Sequence, residues 1–224
     1  MNSILADMLA TGRVQTPAGS ELPLHSHLPQ LEGEILHAWV VALKPARLLE
    51  IGLAYGVSAL FICDALGPQA SVSYHIVDAF QQRDWHGCGV FNLNRAGYEG
   101  RYTLHEEPSE LCLPGLLAQG YRFEFAFIDG FHTFDHALVD FFYINRMLEV
   151  GGVVVFDDIQ LPAIQKLLAY ISTYACYKPL LLPEQFRHHR VIRVRQMMGT
   201  PPVRIAGFIK TAPDERPWNW YHDF

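Results

Sequence analysis

The chain has 224 residues, half of them hydrophobic, and a formal net charge of −6. That length and apolar content suffice for one domain burying roughly 70% of its unfolded surface, and the charge offers no general attraction to nucleic acid or to an anionic membrane face. Cys63, Cys88, Cys112 and Cys176 lack Cys-x-x-Cys spacing, the first residues lack a basic leader, and no apolar run approaches the ~18 residues a bilayer requires, so a cytoplasmic protein with reduced core thiols is expected.

Residues 1 to 20 read as a short helix and a turn at Pro17-Ala18-Gly19-Ser20, without a strand pattern. They belong to an N-terminal extension or lid, residues 1–27, in which His25 and His27 are candidates to cover a pocket. Leu31, Ile35, Trp39 and Leu43 predict a helix over 28–43 that Lys44-Pro45 stops. A strand over 47–51 follows, then a turn from Gly52 to Gly56 and a helix over 58–66 closed by Gly67-Pro68. Residues 73–77 form a second strand ending in Asp78. After a loop with a helical patch near 91–96, residues 102–105 form a third strand ending in Glu106-Glu107, before a helix over 110–117. The most informative stretch comes next: an apolar strand ending in Asp129, a helix over 136–148 closing on Gly151-Gly152, and Val153-Val154-Val155-Phe156 ending in Asp157-Asp158. Residues 162–172 read as a helix. The runs 191–195 and 203–210, separated by a turn near Gly199-Thr200-Pro201-Pro202, read as an antiparallel hairpin at one sheet edge.

Strands alternating with helices give a doubly wound α/β sheet over residues 28–224, in which parallel strands present their carboxyl ends along one edge. Ligands of such sheets bind at that edge, where Asp129, His132, Asp157 and Asp158 should converge.

The turn Glu50-Ile51-Gly52-Leu53-Ala54-Tyr55-Gly56-Val57-Ser58 spaces its glycines as Gly-x-x-x-Gly. It is not the Gly-x-Gly-x-x-Gly of dinucleotide enzymes, which argues against a nicotinamide-dependent oxidoreductase, and no Lys-Ser or Lys-Thr follows to cradle phosphate. Small residues let a ligand approach the backbone and the helix amides. Glu50 places a carboxylate where a ligand ammonium could lie, and Asp78 can accept from two ribose hydroxyls. Together these demands match an aminoacyl nucleoside.

At these residues the chain resembles the class I S-adenosylmethionine-dependent methyltransferases, and within them a bacterial group of small-molecule O-methyltransferases. The matching stretches are Leu49-Glu50-Ile51-Gly52-x-x-x-Gly56-x-Ser58, Asp78-x-Phe80 with Trp85 downstream, Phe127-Ile128-Asp129-Gly130-x-His132, and Gly151-Gly152-Val153-x-Val155-x-Asp157-Asp158. The resemblance implies a Rossmann-like, seven-stranded, mainly parallel sheet with an antiparallel last strand. It implies S-adenosylmethionine as cofactor, with Glu50, Gly52, Tyr55, Gly56 and Ser58 at its methionine end, Asp78 at the ribose and Ser109 with Glu110 at the adenine edge. Asp129 adjoins the cofactor in the same scheme.

Three crowded carboxylates repel unless protons or a cation intervene, which suits Mg²⁺. Metal-dependent relatives use acids at the positions of Asp129, Asp157 and Asp158, where the ion would hold an acceptor hydroxyl and lower its pKa. In similar sugar O-methyltransferases a histidine at the spacing of His132 is the general base, and an imidazole suits proton removal near neutral pH. His136 and Asp140 read as structural, and Trp85, Trp218, Trp220 and Tyr221 as core or interface aromatics. The expectation is a methyltransferase with a small-molecule acceptor, no nucleic-acid or membrane partner, and a homodimer as one option. The alternative is a non-catalytic relative that binds the cofactor or a protein.

Overall fold

The computed structural model describes residues 1–67 and 71–224; the expected helix stop at Pro68 lies outside them. The chain divides into two compact units, Met1–Ser109 and Glu110–Phe224.

In the first unit, α1 (Ser3–Thr11) opens with the Asn2 side chain accepting from the Ile4 amide at 2.9 Å and closes on left-handed Gly12. The turn that follows is the tip of a small antiparallel hairpin, β1 (Arg13–Gln15) and β2 (Glu21–Pro23), with Val14 opposite Leu22. This corrects the strandless reading of residues 1–20. Each strand is only three residues long, too short for side-chain alternation to register as a pattern. Helix α2 (Gln30–Leu43) stops at left-handed Lys44. A Cβ on its Gly33 would fall 2.0 Å from the Phe61 ring, so a glycine is required where α2 meets α3 (Val57–Leu66). Strand β3 (Arg47–Ile51) pairs in parallel with β4 (Ser73–Val77), Leu49 opposite His75 and Ile51 opposite Val77. After α4 (Cys88–Arg95), β5 (Thr103–His105) adds in parallel to β4.

The second unit begins with α5 (Ser109–Ala118), whose first residue closes the first unit. Strand β6 (Phe123–Ile128), helix α6 (Phe134–Met147) and strand β7 (Leu148–Phe156) form the expected crossover, with β6 and β7 parallel. Gly151-Gly152 does not close the helix, however; it lies inside β7. Gly151 has φ +90°, and a Cβ on Gly152 would come within 2.9 Å of the Glu149 carbonyl and 3.1 Å of that of Glu124. The pair therefore forms an irregularity where the β6–β7 register shifts between Phe123 and Phe125. Helix α7 (Pro162–Ser172) has proline in its first turn.

The expected edge hairpin is present with a different partner. Strand β9 (Ala206–Lys210) runs antiparallel to β7 and to β8 (Tyr177–Pro179), whereas 191–195 belongs to α8 (Arg190–Met197), reached through a 3₁₀ turn at Glu184–Phe186. Val-Ile-Arg-Val-Arg carries β-branched propensity, but a strand is decided by its neighbours, and here the three residues at Tyr177 fill that role. The seven strands follow the order β5-β4-β3-β6-β7-β9-β8, mainly parallel, with the last strand of the chain antiparallel. All four cysteines are buried and free, and no helix of the described residues is long and apolar enough to cross a membrane.

Candidate active site

In the first unit the turn after β3 is held from two directions. Asp78, at the end of β4, accepts the Leu53 and Ala54 amides on Oδ2 at 2.9 Å each and the Phe80 amide on Oδ1 at 2.8 Å. Gln81 donates to the same Oδ2 at 3.0 Å and to the Ala54 carbonyl at 2.9 Å. Asp78 thus clamps the turn, and Oδ1 keeps the greater capacity for a ribose hydroxyl. Gly52, Ala54 and Gly56 all have positive φ, and a Cβ on Gly56 would sit 3.1 Å from the Gly89 carbonyl of α4. Glycine at 56 therefore permits backbone to approach backbone.

Glu50 is fully buried, with Ser58 Oγ donating to one oxygen at 2.5 Å and the Tyr74 hydroxyl donating to the other. Burial, with a smaller contribution from Asp78, raises its pKa to about 7 despite both donors. Glu50 thus braces the strand end against α3 and β4, and neither oxygen is exposed to solvent.

Tyr55 is closed over by the N-terminal extension. Its hydroxyl lies 2.8 Å from His25 Nε2, and its ring meets Trp85 edge-on with centroids 5.0 Å apart. His25 also contacts Trp85 at 5.9 Å. His27 is exposed, its pKa lowered by partial burial and by His25. Ser109 is the first residue of α5 and is half-buried, while Glu110 is exposed.

In the second unit the parallel pairing of β6 with β7 brings their acidic ends together as expected. His132 Nε2 is 3.4 Å from Asp129 Oδ1 and 3.4 Å from Asp158 Oδ2, at ion-pair distance from both without a well-formed hydrogen bond to either. Asp158 adopts φ +50°, a left-handed conformation that aspartate tolerates, and its other oxygen accepts from Gln160 at 2.6 Å. Asp157 is buried; its amide donates to the Ile128 carbonyl at 3.0 Å and its Oδ1 has no hydrogen-bond partner. Burial first, then the Asp129 charge, push its pKa up to about 9.

Such a group needs either a proton or a cation, and the donors are the hard oxygens Mg²⁺ prefers. Among the described residues, however, the three aspartates are not drawn together so that a ligand atom from each lies within 4.8 Å of the others. Holding one ion with all three would require a side-chain rotation. Beside these residues in sequence, Phe134, Pro162, Ala163, Lys166 and Phe224 line an open pocket of about 510 Å³.

Comparison with known proteins bears on the family and the fold. Residues 49–159 match a family model described as a methyltransferase domain, a span that includes both the β3 turn and the acidic ends of β6 and β7. The chain belongs to the class I S-adenosylmethionine-dependent methyltransferases. A caffeoyl-CoA O-methyltransferase from Stellaria longipes is 24% identical over 137 residues, covering 57% of this chain and 52% of that protein, so the chain spans about half the length of this curated relative. The fold matches that of an O-methyltransferase from Bacillus cereus in complex with S-adenosylhomocysteine, at TM-score 0.68 and 17% identity over 94% of this chain and 92% of that one. It equally matches an S-adenosylhomocysteine-bound methyltransferase from Podospora anserina, at TM-score 0.69 and 17% identity over 95% and 89% of the two chains.

Within this methyltransferase, sequence reasoning missed Tyr74, Gln81 and Gly89. Tyr74 meets Glu50 only because β3 and β4 pair with Leu48 opposite Tyr74, a register that neither strand encodes alone. A Cβ on Gly89 would fall 2.5 Å from the Ala54 carbonyl; the only sequence signal was its place among the glycines of a loop. His136, read as structural, meets Thr133 Oγ1 at 2.8 Å at the start of α6.

Proposed function

We propose that this methyltransferase transfers the methyl group of S-adenosylmethionine to a hydroxyl of a small-molecule acceptor, with His132 as general base. The supporting observation is the position of His132 Nε2 between Asp129 and Asp158 at the ends of two parallel strands. In the reaction the His132 imidazole would take the acceptor O–H proton on the ring nitrogen turned away from the two carboxylates, because Nε2 is buried between them, as the oxygen bonds to the methyl carbon and the S–CH₃ bond breaks to leave S-adenosylhomocysteine. The imidazolium so formed would lie 3.4 Å from two carboxylates, which stabilise it. The neutral thioether of S-adenosylhomocysteine is a good leaving group, so orientation would supply most of the remaining acceleration.

The turn residues Gly52, Tyr55, Gly56 and Ser58 would hold the methionine end of the cofactor and Asp78 Oδ1 its ribose, with Ser109 at the adenine edge. Glu50 would act on the ligand through the turn it braces. Asp157, with Asp129 and Asp158, would hold Mg²⁺, which when bound polarises the acceptor oxygen. The O-methyltransferase names of the relatives support a hydroxyl acceptor, and four buried free thiols agree with a reducing cytoplasm.

The test is calorimetric titration with S-adenosylmethionine and S-adenosylhomocysteine, followed by transfer of labelled methyl to a panel of hydroxylated acceptors. Binding of both ligands, with transfer that His132→Ala abolishes while affinity persists, is expected. A folded sample that binds neither would overturn the proposal, and one that binds both yet transfers to no acceptor would be a non-catalytic binder.

A further inference from the structure

Between β8 and β9 the second unit carries a segment whose charge opposes that of the chain. From residue 185 to residue 205 there is no aspartate or glutamate, while Arg187, Arg190, Arg193, Arg195 and Arg204 all fall there, in a chain of net charge −6. At its centre is α8, which buries only Ile192. Beside exposed Arg190, Arg193 and Gln196, its outward face carries apolar side chains that a fully solvated helix would not show. Val191, Val194 and Met198 form an i, i+3, i+7 stripe that is 42%, 39% and 73% exposed, flanked by Met197 at 80% and by exposed Arg190 and Arg193.

Three occupants can be weighed by chemistry. A second copy of the chain, meeting this face across a two-fold axis, would bring Arg190 and Arg193 against their own counterparts with no acid nearby in the segment. A nucleic-acid backbone takes cations and polar donors, and has no use for four outward apolar side chains. An anionic lipid surface takes both classes at once: guanidinium groups at the phosphates, and valine and methionine at the acyl boundary. The overall negative charge does not oppose this, because screening over about 8 Å confines what the surface senses to the local patch.

We infer that α8 is a peripheral docking helix for anionic phospholipid membranes, with Arg187, Arg190 and Arg193 at the headgroups and Val194, Met197 and Met198 inserted beneath them. With one short helix, the association is reversible and salt-sensitive. It is independent of the transfer chemistry.

Co-sedimentation of the full chain with phosphatidylcholine vesicles, with and without phosphatidylglycerol, tests it. Binding only to the anionic vesicles, weakened by added salt, is expected. Each of Arg190→Gln and Arg193→Gln should weaken it about fivefold, and Val194→Asp with Met197→Ser should weaken it even at low salt. All four positions are exposed or partly so, and an unchanged thermal midpoint confirms that the variants fold. The inference is overturned by absence of binding to anionic vesicles, or by binding that Val194→Asp with Met197→Ser leaves intact. It is equally overturned by tighter binding to duplex DNA than to vesicles, or by a homodimer that Val194→Asp dissociates.

Discussion

The hydroxyl of Tyr55, in the turn that follows β3, lies 2.8 Å from Nε2 of His25, in the N-terminal extension. With Trp85 against both rings, the extension is fastened onto the segment proposed to hold the methionine end of the cofactor. His25→Ala removes one hydrogen bond and two ring contacts, and should weaken S-adenosylhomocysteine binding about fivefold, the equivalent of ~1 kcal/mol. Tyr55→Phe should reproduce the effect of losing the hydrogen bond. Unchanged affinity in both variants, measured by calorimetry, would show that the extension does not serve the site.

Glu50 provides a pH dependence with a definite sign. Its folded pKa of about 7 lies above its ordinary value of 4.5, so between those values the folded chain holds a proton that the unfolded chain has released. The resulting stabilisation is complete below pH ~4.5 and is lost as pH rises through about 7, a change on the order of 3 kcal/mol. Glu50→Gln keeps the shape without the titration. Thermal midpoints from pH 5 to 8.5 should fall less steeply in the variant than in the parent; parallel curves would refute the assignment.

His132→Ala should lower kcat by about 10²- to 10⁴-fold, the usual worth of a general base. The cofactor Kd should stay within about twofold, because no cofactor contact is assigned to the imidazole. Asp129→Asn and Asp158→Asn should each lower kcat less, since either remaining carboxylate still faces the imidazolium. A parent-like kcat in His132→Ala would remove the base from the mechanism.

Asp157 gives the reading for a cation. If Mg²⁺ settles on its unpartnered Oδ1, millimolar Mg²⁺ should raise the thermal midpoint, by the equivalent of about 2.7 kcal/mol at a hundredfold excess over Kd. Asp157→Asn should abolish that rise. No shift with Mg²⁺ in the parent would leave the histidine to act without a metal.

Much of this was legible in the sequence wherever a strand ended in an acid. The spans of β3, β4 and α7 and the meeting of Asp129 with Asp158 follow from apolar runs bounded by turn residues. What stayed hidden depended on partners distant in sequence. Tyr74 reaches Glu50 through strand register, Gly89 meets the β3 turn through the seating of α4, and β9 pairs with a three-residue strand too short to signal itself. Propensity favoured a strand for 191–195, but its arginines and outward-facing valines lie on a helix.

The segment after β9 carries a last test, of stability rather than activity. Arg216 holds both oxygens of Asp214 at 2.7 Å, and its guanidinium lies 3.4 Å over the Tyr174 ring and 4.7 Å over Trp220. Asn145 also donates to Asp214 at 2.7 Å, accepts from the Tyr177 hydroxyl, and offers its carbonyl to the buried Lys210 ammonium. Arg216 first, and then Asn145, hold the Asp214 pKa down at about 2. Because that value is depressed, the stabilisation is present above pH ~4 and lost as pH falls through about 2, and it amounts to roughly 2 kcal/mol for side chains only 17% and 23% exposed. Arg216→Ala leaves Asp214 with Asn145 and a long 3.4 Å bond from the backbone amide of residue 216 and uncovers two aromatic rings, so its unfolding free energy at pH 7 should drop by about 2 to 3 kcal/mol. Arg216→Lys, which keeps the charge but loses the bidentate fork and the planar stacking, should recover less than half of that. Denaturant unfolding of the three proteins decides it: equal stabilities would mean that the tail is held by its aromatic residues alone.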